Sequence, residues 1–149
     1  DIIESDPTAK ETISEPSEYE VMRTNAIAKK NRATQTRLEK VLSYTKQTMV
    51  AYMSEEDLNR LCAYIVEYSS GDTLQKISPV KVDSQLKSVD IMHFGWNIGK
   101  AFSKKRIHTA TFIKNVFAHA LRDLEISTIE RKMSHTESAC YIKLNKEIT

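Results

Sequence analysis

A chain of 149 residues with a formal net charge of +2 suits one domain with a modest core. Its three Gly and three Pro, against roughly ten and seven in ordinary usage at this length, exclude corner-rich sandwiches and barrels and favour an all-α fold. No apolar run approaches the ~20 residues that span a bilayer, and two distant cysteines, Cys62 and Cys140, form no disulfide framework and read as reduced thiols, so a cytoplasmic protein is expected.

The small net charge conceals strong segregation. Residues 1–20 hold seven acids and one Lys, net −6; residues 21–53 are net +6, 54–99 net −3 and 100–149 net +5. Such patterning suits a polyanion partner, or an acidic tail that clasps a basic body.

Residues 1–20 mix acids, Ser, Thr and two Pro without an apolar period, and so bury too little to offset their ordering entropy. They are expected to be a flexible acidic tail, solubilising ahead of an interaction segment or an autoinhibitory clasp, before a single helical domain over 21–149. The segment shows no export signal, and Asp1 in place of Met suggests that an upstream segment is missing.

A first helix is expected over 25–53, where Leu38, Val41, Leu42, Thr45, Met49, Tyr52 and Met53 recur at helical steps. Lys29, Lys30, Arg32, Arg37, Lys40 and Lys46 occupy much of its remaining surface. The stripe of Tyr44, Met49, Tyr52 and Met53 reads as core, with a homodimer surface as the alternative. Ser54 then fits an N-cap for a second helix, with Glu55, Glu56 and Asp57 at the positive end of its dipole. Leu58, Leu61, Cys62, Ile65 and Val66 form the face of that helix, and Gly71 is its expected left-handed stop.

Pro79 keeps the connector 73–82 out of a central helix or strand. Asp83 or Ser84 is expected to cap a central helix over 84–102, apolar nearly all round and therefore buried. Within it Gly95 and Gly99, four apart, admit a close neighbour. His108 or Thr109 is expected to start a fourth helix, with Phe112, Ile113, Val116, Phe117, Ala120 and Leu121 inward. Ser127 and Glu130 have capping-box spacing, which places a short fifth helix over 128–134. Residues 140–144 alternate weakly and read as a short C-terminal strand or hairpin, a helix turn or a docked tail. The fold class is thus all-α, a bundle of about five helices.

Motifs for chemistry are scarce. The four His and two Cys show none of the close spacings of zinc sites, and there is no nucleophile elbow, P-loop or dinucleotide turn. No metal, no cofactor and no enzymatic activity are expected. The cations speak for nucleic acid, DNA ahead of RNA. Lys104, Lys105 and Arg106 precede the helix start at Thr109, where free amides and the dipole attract phosphate. Lys29, Lys30, Arg32 and Arg37 form a second basic strip. The last three helices resemble a helix-turn-helix in outline, with Arg131 and Lys132 on the reading helix, although the joint lacks the usual Gly. The expected function is a small nucleic-acid-binding protein of regulatory or accessory kind, including transcription regulation. The alternative is a helical protein-interaction module or homodimer.

Overall fold

The computed structural model describes residues 14–71, 74 and 76–148; among these it holds five α-helices and no strand. They are α1 (Glu18–Met49), α2 (Glu55–Ser70), α3 (Ser88–Ala101), α4 (Arg106–Val116) and α5 (Ile126–Lys132). No described helix is long and apolar enough to cross a membrane. The chain divides into two units, Asp1–Gln35 and Thr36–Thr149.

In the first unit, residues 1–13 of the expected flexible tail lie outside the described residues. Helix begins earlier than expected, at Glu18 rather than near Asn25, and so takes in the last residues assigned to the tail. A reciprocal cap is the reason: the Ser17 amide donates to Glu20 Oε1 at 2.9 Å, and the Glu20 amide donates to Ser17 Oγ at 3.1 Å. From there to Gln35 every residue is exposed except the half-buried Ala28.

In the second unit α1 contributes Val41, Thr45 and Met49 to the core and stops at Met49, short of the expected Met53. Thr45 Oγ1 donates back to the Val41 carbonyl at 2.8 Å, so the buried hydroxyl has a partner. Ser54 caps α2 as expected, its Oγ accepting from the Asp57 amide at 3.1 Å. Leu61, Tyr64, Ile65 and Tyr68 face inward, whereas Val66, expected inside, is 44% exposed. Gly71 ends α2 in extended backbone (φ −159°), not in the left-handed conformation.

The central helix is shorter than its apolar pattern. It starts at Ser88, because Asp90 reaches back to accept from the Lys87 amide at 2.9 Å, while Asp83 closes a separate turn by accepting from the Gln85 amide. Nearly all of α3 is buried, as its composition requires. Its two glycines meet α4 at successive turns: a Cβ on Gly95 would stand 2.5 Å from Ile113 Cγ2, and one on Gly99 would collide with Thr109 Oγ1. Aromatic contacts knit the rest, with Tyr68 stacked on Phe112 at 4.2 Å and Phe94 between Tyr44 and Phe117.

A left-handed Ser103 (φ 57°) turns the chain into α4, which begins at Arg106 and ends at Val116. Phe117 and Leu121 still reach the core from the turns that follow, but Ala120 is exposed. The Ser127–Glu130 box does not form. Helix α5 starts at Ile126 with Glu125 as its N-cap residue, which leaves Ser127 inside the first turn.

The expected C-terminal strand is also absent. Residues 135–145 form neither helix nor strand; side chains of α3 take up several of their main-chain groups.

Candidate nucleic-acid interface

Three groups of cations come forward from the sequence, and the structure treats them differently. The first lies on α1. Between Val21 and Gln35 this helix carries Arg23, Lys29, Lys30 and Arg32 and no acid. Arg23 and Lys30 are seven residues apart and share a face; Lys29 and Arg32, three apart, share another, with Arg32 on the side of the helix opposite Arg23. None of the four makes a hydrogen bond or ion pair among the described residues. Thr24, Ala26 and Ala28 lie among them and Ala33 and Thr34 follow, so short side chains leave parts of the helix backbone open to close approach. Arg37 is equally exposed and unpaired at the start of the second unit. Arg23 is the residue that sequence reasoning missed, and the Ser17–Glu20 spacing was the signal that would have placed it on the helix.

The second group follows α3. Lys104 Nζ donates to the Gly71 carbonyl at 3.1 Å and lies 4.9 Å from the centre of the Tyr68 ring. Arg106 reaches back to α5, donating to Ser134 Oγ at 3.0 Å and to the Glu130 carbonyl. These two side chains tie elements together. Lys105 is exposed as the N-cap residue of α4, with no side-chain cap bond. Thr109 is not at the helix start but one turn inside it. It is 2% exposed, and its hydroxyl shares a 2.9 Å hydrogen bond with Tyr68. A hollow of about 300 Å³ beside it is lined by Trp96, Lys100, Lys104, Arg106 and Met133.

Arg131 and Lys132 make up the third group. Both are exposed in the last turn of α5, where they complement the negative end of its dipole. Residues 117–125 separate α4 from α5, a longer joint than a helix-turn-helix uses, and the start of α5 carries no cation. The outline read from the sequence therefore does not become that geometry.

The other chemistry-bearing groups are structural or isolated. No cluster of His, Cys, Asp and Glu among the described residues is able to hold a metal ion. Cys62 and Cys140 are free thiols, and burial pushes the Cys62 thiol above its usual range despite the nearby Lys46. The Tyr and Met stripe packs within the second unit: Tyr44 stacks against Phe94, Met49 is fully buried, and Tyr52 and Met53 lie against the core. Compared with protein families, with curated proteins and with solved structures, the chain shows no match.

Proposed function

We propose that this protein binds nucleic acid through the first unit's share of α1, as a small accessory or regulatory protein of the kind that serves transcription. Arg23, Lys29, Lys30 and Arg32 contact phosphates, and the helix lies along the backbone or in a duplex groove. The observation that carries this reading is a run of exposed helix with four cations, no acid and no partner among the described residues. A solvated cation that no carboxylate neutralises can replace condensed counterions on a polyanion, and their release drives binding. Lys104 and Arg106 contribute less, because their side chains already hold carbonyl oxygens.

The test is fluorescence anisotropy of a labelled 20-base-pair duplex against the full chain over a salt series. Changing Lys29, Lys30 and Arg32 together to Ala should weaken binding at least tenfold at low salt. It should also flatten the plot of log affinity against log salt by about 2–3. Ala is a good helix former, so circular dichroism should hold. Changing Lys104, Lys105 and Arg106 to Ala should instead lower the melting temperature and leave the salt slope nearly unaltered. A triple α1 variant that binds with the original slope would remove the proposal.

A further inference from the structure

The second unit holds its C-terminal segment in an unusual way. Three polar side chains on one face of α3, Asp90, His93 and Asn97, are each at most 1% exposed. Asp90 Oδ1 accepts from the amides of Tyr141 and Ile142 at 2.6 and 3.0 Å. The His93 ring lies between two carbonyls, with Nδ1 2.8 Å from that of Ile142 and Nε2 2.7 Å from that of His135, and its N–H donates to one or the other according to tautomer. Asn97 donates to the Lys143 carbonyl at 2.9 Å and accepts from the Asn145 amide at 2.6 Å; its Nδ2 also donates to Tyr44 Oη. All of these bonds to the segment end on main-chain atoms. The row recognises main chain rather than particular side chains. Between 135 and 145 the one buried side chain is Ile142, at 4% exposure, whereas Tyr141 is 63% exposed. The segment has no regular structure of its own and leaves the core immediately after the buried Met133.

We propose that residues 135–145 are an exchangeable strap, and that the α3 row accepts the same segment from a second copy of this chain. A segment held by main-chain bonds, one buried apolar anchor and the Tyr141 ring against Tyr52 carries its whole recognition with it. Because the row reads main chain, register comes from the spacing of Ile142 to the amides and carbonyls around it, and the chain's own segment is the one seen to satisfy all of them. Docking within one chain wins at low concentration, since a short tether supplies a local concentration near millimolar. Exchange follows when the internal strap is weakened or the protein is concentrated.

Two full-length variants test this by complementation. Tyr141→Pro removes an amide that Asp90 uses while leaving the groove intact; Asn97→Ala damages the groove and leaves the strap intact. In sedimentation analysis each alone should be a monomer, and an equimolar mixture should give a species of twice the mass containing one of each. Tyr141→Ala, which keeps the amide, should behave as the unaltered chain and not complement. Asn145→Pro, which removes the amide that Asn97 accepts, serves as a second strap variant if Tyr141→Pro loses its helical circular dichroism. A mixture of folded variants that stays monomeric overturns the proposal, and so does pairing that Tyr141→Ala supports equally well. Unfolding of both proline variants overturns it too, because the segment would then be part of the core and not a removable strap.

Discussion

Gly95 shows how much one missing methyl group decides. An alanine there gains helix propensity worth about 1 kcal/mol. It also drives its Cβ to 2.5 Å from Ile113 Cγ2, where both backbones are already fixed by neighbouring turns. Overpacking of this kind costs about 1–3 kcal/mol, so Gly95→Ala should lower stability by up to about 2 kcal/mol in urea unfolding. Ile113→Ala leaves a cavity by itself, but in the double variant the new methyl fills part of it. A double-mutant cycle should therefore show favourable coupling of about 1 kcal/mol or more, and additive losses would mean that the contact at Gly95 relaxes freely. Tyr44 supplies a pH-dependent counterpart. Burial raises its phenol above the usual range, against the opposing hydrogen bonds of Asn97 and Thr48. The unfolded chain then loses this proton near pH 10 while the folded chain keeps it. The contribution is complete below that pH and declines as pH rises through and beyond it. Urea midpoints measured from pH 9 to 11 should fall less steeply for Tyr44→Phe than for the unaltered chain.

The helices were legible in the sequence because apolar periodicity is a property of whole elements; their ends were not, because ends depend on single hydrogen bonds. Two Ser-x-x-Glu spacings make the contrast. Ser17 and Glu20 form the reciprocal cap and start α1, whereas Ser127 and Glu130 do not, since the partly buried Leu124 and Ile126 draw the start of α5 back to Ile126. The first spacing sits in an acidic, Pro-containing stretch that carries no apolar period, whereas apolar residues surround the second. Alternation over 140–144 reads as a strand because the strap does place Ile142 inward between exposed neighbours. It lacks only a strand to pair with, and the row on α3 was hidden among apolar residues. The α1 cations were legible from composition, but the engagement of Lys104 and Arg106 was not, because their acceptors, Gly71 and Glu130, are distant in sequence. The cap on α1 has a measurable consequence. Its exposed stretch buries only part of Ala28, so a cap worth about 1 kcal/mol is a large share of its local stability. Ser17→Ala should reduce helical ellipticity and leave the melting temperature of the packed unit within about a degree; a matching loss in both would show that the stretch and the core unfold together.

At the scale of the whole chain, the two units have different sources of order. The packed unit has a core drawn from every helix, with buried polar side chains that all find partners among the described residues. Residues 18–35 have neither, and an isolated helix of that length is marginal in water. Amide hydrogen exchange should therefore separate them: low protection over 18–35, and protection approaching the global unfolding free energy at Ile91, Phe94 and Ile98. The proposed function makes the exposed stretch the responsive part. A polyanion laid along this stretch relieves the repulsion among Arg23, Lys29, Lys30 and Arg32 and favours the helical form that brings Arg23 beside Lys30 and Lys29 beside Arg32. Adding duplex DNA at saturating concentration and low salt should raise protection over 18–35 severalfold and leave the α3 amides unchanged. The gain should disappear at high salt, where counterion release no longer drives binding. Protection that rises only around α4 and α5 would move the contact to Lys105, Arg131 and Lys132. No change in either region would leave the charge on α1 as a solvated surface.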